Sequence, residues 1–364
     1  MHKSKKAQTI LFLPNGFGDS IMGAFASVDT NISKVVCLTK AHSSFFSIAS
    51  NSLIKTIERF DSKPFSQIRL WVKLFFCHED TIIAPLATRS LLSCIFFIGL
   101  FNKKVIVPYG FLKSRLLNIH IHNENINSFN GHQVNYIRSF LGISEQLPIR
   151  ICTTKKPIDG IYRLALGISC GRLEKHKIPS PEWFAKIINI AASTNNLEIH
   201  LFGLSSDIPL ITQFEKNLDK NIRLIKHIDL YPEELLEIIS KCNLGISGIV
   251  GQAHIMSIAQ IPQIVVCGVT NPWESGPFID TLAIIKHDLA CGPCYNHINY
   301  RFGCSRIDCM NEINANYAAD VISSLIETPQ SFKGWRKVSK MKTQNIEQIK
   351  FQHSKMFNES GLRN

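Results

Sequence analysis

Three groups of residues in this sequence have the types and spacing to do chemistry. The first is Asp19, set directly after Gly16 and Gly18 in the stretch ILFLPNGFGDSIMGAFAS, residues 10–27. Glycine lets a chain turn sharply after a strand and brings backbone close to a ligand with no Cβ in the way. A helix starting near Ser20 would then present free N–H groups to an anion. Asp19 at such a turn either caps the helix or, facing a cleft, takes a proton from a substrate hydroxyl as a general base. The second group lies in GISGIVGQAHIMSIAQIPQIVVCGVTNP, residues 245–272. Gly248 and Gly251 ahead of a helix beginning near Gln252 suit a diphosphate held by backbone N–H groups, with His254 as a nearby side-chain donor. A surface or core histidine is the other reading of His254. The third is a set of four cysteines, Cys291, Cys294, Cys304 and Cys309, spaced C-x2-C-x9-C-x4-C in one polar loop, 291–309. Four thiolates around one ion make a tetrahedral zinc site, and a C-x-x-C knuckle supplies two of them.

The elements that must position these groups follow from the hydrophobic pattern. Short apolar runs alternate with amphipathic stretches, as in parallel sheets covered by helices. The runs are TILFL, KVVCL, TIIAPL and KVIVPY in the first half, and YRLALGIS, LEIHLFG, IRLIK, LGIS, QIVVCG and LAIIKH in the second. Between them, SPEWFAKIINIAAS and YPEELLEIISKC carry proline near the start and acidic residues in the first turn, as helix N-termini do. Residues 110–132, with their asparagines and histidines, read as a long irregular connection. A chain of 364 residues predicts two α/β domains. The turn-forming TTKKPIDG at 153–160 is the best boundary, giving domains over 1–155 and 156–330 and a basic tail with a surface helix over 331–364.

A net charge of +12, from 40 basic and 28 acidic residues, suits an anionic partner: nucleic acid, a phosphorylated small molecule or an anionic membrane face. The basic ends MHKSKK and KGWRKVSKMK read first as solvated tails and second as membrane-surface contacts. The most apolar run, LLSCIFFIGLF at 91–101, is too short for a hydrocarbon core of about 30 Å and reads as a buried helix. MHKSKK leads straight into a strand with no cleavage site, so a cytoplasmic protein is expected. Of eleven cysteines, seven stand singly in apolar segments as small core residues. For the four in the loop, a reducing compartment favours metal over disulfides. The missing G-x-G-x-x-G and ribose acid argue against a dehydrogenase. Near the cysteine loop only Arg301 and Arg306 are basic, without interleaved aromatics, and this argues against nucleic-acid binding.

The order of GFGDS, LFGLSSD, LYPEELLEIISKC, GISGIVGQAHIMSIAQIPQIVVCGVTNP and the cysteine loop resembles the bacterial heptosyltransferase family, glycosyltransferase family 9, over residues 9–325. The resemblance implies an α/β protein of GT-B type, two Rossmann-like domains with parallel sheets facing each other across a cleft, acceptor domain first and nucleotide-sugar domain second. It implies an inverting transfer of heptose from ADP-heptose onto a lipopolysaccharide-core (lipid A core) or protein acceptor, with Asp19 as base, no cofactor for catalysis and no nucleic acid. Ser169 and Cys170 fall where the family has hydroxyl residues near the donor phosphates. The diphosphate-neutralising cation lies in EKHKIP, as Lys175 or Lys177, with Lys175 ahead. Asp207 matches an acidic residue on the nucleoside, Leu230 an apolar residue beside the base, Gly251 and His254 the G-x-x-H of the diphosphate turn, and Thr270 the threonine of G-P-T-x-P. In one departure, Ile249 stands where the family has aspartate in D-[ST]-G-x-x-H, which leaves another nucleotide sugar open as donor. A subset resembling the autotransporter heptosyltransferases carries cysteine-bound iron in this region, so the loop reads either as a structural zinc or iron site or as a cysteine pattern common to the family without metal. Lipid acceptors imply peripheral contact with the inner membrane. A protein of another class, a non-catalytic four-cysteine module binding nucleic acid or a partner, is the alternative.

Overall fold

The computed structural model describes residues 9–13, 16–30, 32–37, 39–50, 54–58, 64–86, 103–108, 118–122, 129, 131–150, 152, 157, 159–171, 174–279, 281–285, 294, 307–327 and 336–338. The chain forms two compact units that change over between Leu147 and Pro148, ahead of the turn-rich residues 153–160.

The first unit holds six strands: β1 (Thr9–Leu13), β2 (Ile32–Cys37), β3 (Lys55–Glu58), β4 (Thr81–Ile83), β5 (Lys104–Val107) and β6 (Ile119–Ile121). They pair in the order β3-β2-β1-β4-β5-β6, every pair parallel. This is the Rossmann order, in which the chain starts at the middle of the sheet and winds out to each edge in turn. β1 takes the middle because Ile10 to Leu13 are apolar at every position and buried on both faces. Helices α1 (Phe17–Ala26), α2 (Lys40–Ser50), α3 (Pro64–Phe75) and α4 (Gln133–Phe140) accompany it. Gly23 sets the approach of α1 to β1, since a Cβ there would lie 2.2 Å from Leu13 Cδ1. The glycine that packs helix on strand is therefore inside the helix rather than in the turn. Buried Arg138 on α4 donates from Nη1 to Val28 O at 3.1 Å and Ala26 O at 3.4 Å, a cation on the carbonyls at the end of α1.

The second unit repeats the winding with β7 (Tyr162–Leu166), β8 (Leu197–Gly203), β9 (Arg223–Ile228), β10 (Leu244–Gly248), β11 (Gln263–Cys267), β12 (Thr281–Ile285) and β13 (Arg336–Val338). The order is β13-β12-β11-β10-β7-β8-β9, again all parallel. Its helices are α5 (Pro181–Ala192), α6 (Ile208–Asn217), α7 (Pro232–Ser240), α8 (Gly251–Ile258), α9 (Pro272–Ser275), α10 (Asp308–Asn311) and α11 (Ala315–Glu327). α5 starts where Ser180 Oγ accepts from Trp183 N, with Pro181 in its first turn. Its apolar face and that of α11 meet the sheet in one core that includes Leu166, Phe184, Ile188, Ile246 and Ile322.

Two elements differ from the sequence-based expectation. The connection read as irregular over 110–132 contains β6, a three-residue edge strand whose exposed His120 masks the pattern. In the basic tail Arg336–Val338 forms an edge strand on β12, where a helix was expected. The run at 91–101 and the terminal MHKSKK lie outside the described residues.

Candidate functional site

In each sheet the winding reverses between its first and fourth strands, at β1/β4 and at β7/β10. Open parallel sheets bind ligands outside the carboxyl ends of their strands at that point. Asp19 follows β1 in the first unit, and Ser169, Gly251 and His254 follow β7 and β10 in the second.

In the first unit α1 begins at Phe17, earlier than Ser20. Its N-cap is Gly16, in extended backbone at φ −70° and ψ 179°, with no side-chain cap bond, and Gly18 lies within the helix. Neither Gly16 nor Gly18 uses left-handed backbone, and Asp19, inside the helix, is not the cap. Asp19 sits in the first turn, half-buried, where the helix N-terminus favours a negative charge. Its Oδ1 accepts from Gln133 Nε2 at 3.3 Å, and Gln133 is itself buried.

The Phe17 ring below that turn stacks on His42 at 3.8 Å and meets Phe45 edge-on. His42 is buried with Thr39 Oγ1 2.6 Å from its Nδ1, and burial pushes its imidazole down from 6.5 to about 4. A depressed histidine keeps its full contribution above the unfolded value and loses it as pH falls, because the unfolded chain takes the proton first. Stability should therefore drop between pH 6.5 and pH 4, by at most about 3 kcal/mol. His42→Phe keeps the stack and removes the proton site. Denaturant midpoints measured across that range should lose most of their acid slope in the variant, and an unchanged slope would rule His42 out as its source.

In the second unit three strand ends meet through one side chain. Gln252, in the first turn of α8, accepts from Ser169 N at 3.1 Å through Oε1 and donates from Nε2 to Ser169 Oγ and Phe202 O, both at 2.9 Å. Ser169 Oγ donates in turn to Asp207 Oδ2 at 2.9 Å, and Leu204 N reaches the same oxygen at 2.9 Å. Glycines clear the space: a Cβ on Gly167 would stand 2.7 Å from Gln252 Oε1, and one on Gly203 would stand 3.1 Å from Asp207 Oδ2. Ser169 and Asp207, expected at the donor, are thus joined. Gln252 was missed, although a polar residue directly after the helix-starting Gly251 was a signal for it.

A 3-10 turn, Lys175–Lys177, leaves Lys175 exposed and Lys177 buried against Glu174 as an ion pair. Burial pushes the Cys170 thiol up to about 12, so it stays protonated. His254 is buried on α8, and Thr270 follows β11 with an Oγ1 that has no hydrogen-bond partner among the described residues. Leu230 is half-buried beyond β9, beside the strongly exposed Tyr231, while Leu204 stands exposed beyond the adjacent β8. Ile249 packs inward with Ala253, Val265 and Cys267. Its side chain therefore belongs to the core, where the family's aspartate was expected to meet the donor.

Of the cysteine loop, Cys291 and Cys304 lie outside the described residues. Cys294 is exposed and its N–H donates to Val269 O at 2.9 Å. Cys309 is half-buried against the neighbouring Gly268, where a Cβ would lie 2.5 Å from its Sγ. Among the described residues no three His, Cys, Asp or Glu side chains form a metal-holding group.

No family model and no curated protein matches the sequence. Solved structures do match the fold. The ADP-heptose lipopolysaccharide heptosyltransferase II of E. coli superposes with a TM-score of 0.65 at 12% identity, over 89% of this chain and 99% of that one. A family 9 glycosyl transferase from Veillonella parvula gives 0.61 at 13% identity, over 88% and 97%. The iron-containing dodecameric glycosyltransferase TibC of enterotoxigenic E. coli gives 0.50 at 10% identity, over 89% and 77%. The protein thus has the α/β fold of two Rossmann-like units that these GT-B transferases share. The expectation of fold class from the sequence agrees.

Proposed function

We propose that the protein is an inverting glycosyltransferase that binds a nucleotide sugar in its second unit and an acceptor hydroxyl at Asp19. The observation that carries this reading is the Gln252–Ser169–Asp207 network at the switch point of the second sheet, on a fold shared with solved ADP-heptose transferases. The N–H groups opening α8 and the exposed Lys175 supply positive potential for a diphosphate, as electrostatic stabilisation of a leaving group requires. Lys177 serves less directly, because Glu174 already holds it. His254 and Gly251 complete the turn, Thr270 offers an unused hydroxyl, and Leu230 and Tyr231 flank the base.

In the reaction the acceptor oxygen attacks the anomeric carbon as Asp19 takes its proton, and the bond from that carbon to the diphosphate oxygen breaks. One displacement inverts the anomeric centre. Lysine and helix N-terminus take the charge of the departing nucleoside diphosphate, so no divalent metal enters the scheme. Heptose from ADP-heptose is the favoured donor because the fold is shared with the ADP-heptose lipopolysaccharide heptosyltransferase II of E. coli. The inward packing of Ile249 favours a second possibility, a different nucleotide sugar. The acceptor is a lipopolysaccharide core or a protein, and the work is done in the cytoplasm against the inner membrane. Among the described residues no helix is long and apolar enough to cross a membrane. Cys294 and Cys309 lie beside the consecutive residues Val269 and Gly268, which supports a structural zinc or iron held by the four-cysteine loop.

Calorimetric titration with ADP, GDP, UDP and CMP tests the reading, with metal content measured on the same sample. ADP should bind in preference, and Lys175→Ala and Gln252→Ala should each weaken it about tenfold, a loss of about 1.4 kcal/mol. Failure of all four nucleotides to bind would overturn the transferase reading and turn attention to the cysteine loop as a binding module.

A further inference from the structure

Helix α3 has two faces of opposite character. Leu70 and Leu74 are buried and join the core of the first unit with Ile10, Phe12 and Val105. On the outside stand Ile68, Val72 and Phe76, at 47%, 50% and 73% exposure. Their spacing of four residues puts them on one line along the helix and its end. Arg69 and Lys73, each one residue further on, are exposed beside that line. The helix sequence PFSQIRLWVKLF contains no acidic residue. Single exposed apolar side chains are ordinary, but an aligned row of them with a parallel basic row marks an interaction surface.

We propose that this face of α3 docks on an anionic lipid bilayer. A helix that lies in the plane of a membrane interface needs both features found here, apolar side chains to enter the headgroup boundary and cations to meet acidic headgroups. The chain's net charge of +12 adds long-range attraction to such a surface. A second copy of the chain fits poorly, because a two-fold contact through this face would set Arg69 and Lys73 against their own images. A protein partner would have to match the apolar line and the basic row residue by residue, whereas a bilayer offers both complements everywhere on its surface. Docking would carry the first unit to a lipid-borne acceptor if the transferase reading holds. Binding to lipid is measured without sugar transfer, so the two ideas fail separately.

The test is co-sedimentation of the full chain with sucrose-loaded vesicles, of phosphatidylcholine alone and of phosphatidylcholine mixed with phosphatidylglycerol. Binding is expected to the mixed vesicles only and to weaken as salt rises. The triple variant Ile68→Ser, Val72→Ser, Phe76→Ser and the double variant Arg69→Glu, Lys73→Glu should each lower the partition coefficient about tenfold or more. A control reversal of exposed lysines in the second unit, Lys216→Glu with Lys220→Glu, should lower it much less. Retained nucleotide binding, or a retained thermal transition if no nucleotide binds, shows that each variant is folded. Undiminished binding by the triple variant overturns the proposal. So does an equal loss in the control pair, which would reduce the effect to net charge, and so does a wild-type dimer that the triple variant abolishes.

Discussion

Asp19→Asn should reduce sugar transfer by about a hundredfold to ten-thousandfold, the range that a positioned general base contributes, while leaving ADP affinity at the wild-type value. The split follows from where the groups stand. Asp19 opens α1 in the first unit, whereas Ser169, Asp207 and Gln252 assemble in the second. Asparagine is the informative replacement because it keeps the shape and an oxygen able to accept from Gln133 Nε2, now 3.3 Å from the carboxylate. What it loses is the capacity to take a proton and the negative charge at the helix N-terminus. A quenched-flow or coupled assay of transfer, run beside nucleotide calorimetry on the same preparation, reads both quantities. Transfer near the wild-type rate would remove Asp19 from the chemistry. A parallel loss of ADP binding would instead point to a general defect in the fold.

Much of this arrangement is legible in the sequence, and the limits have physical causes. Buried parallel strands advertise themselves, as in TILFL and QIVVC, where every residue after the first is apolar because both faces of the sheet are covered. β3 and β6 do not, because KTIE and IHI are short outer strands that mix polar with apolar residues. Strand order is also silent in the chain: adjacency of β1 to β4 or β7 to β10 depends on crossovers between segments far apart in sequence. The site divides the same way. Glycines and a helix start pointed to the turn at Gly251, but the Gln252 bonds span 83 residues to Ser169 and 50 to Phe202. Two lysines in one short motif were both candidates on paper, with Lys175 ahead. Burial and the partner Glu174 separate them, leaving Lys175 toward solvent. Ile249 read as a lost polar contact, and its inward packing shows that the substitution also fills a core position.

Glycine shows most sharply what sequence alone leaves open, because Gly16 and Gly248 look alike in the chain and have opposite surroundings. A Cβ on Gly16 meets nothing within 4 Å, and the backbone there is ordinary extended chain. Gly16→Ala should meet no steric cost and lower stability only by about 0.5–1 kcal/mol, the advantage of glycine over alanine at a helix N-cap. A Cβ on Gly248 would stand 2.4 Å from Lys177 O and 3.2 Å from Ile178 Cα and Cβ. No rotamer relieves a collision with a carbonyl, so either β10 or the Lys175–Lys177 turn must move. β10 is buried at every position and paired on both sides, and the turn is the more yielding of the two. Overpacking of this kind costs about 1–3 kcal/mol. Displacing the turn also moves Lys175, so Gly248→Ala should weaken ADP binding by about tenfold or more in addition to lowering the denaturant midpoint. If Gly248→Ala matched the wild type in both midpoint and affinity, the close contact between strand end and lysine turn would not exist in solution. If the midpoint fell while affinity held, the turn would be part of the fold but not of the donor site, and Lys175 would lose its assigned role.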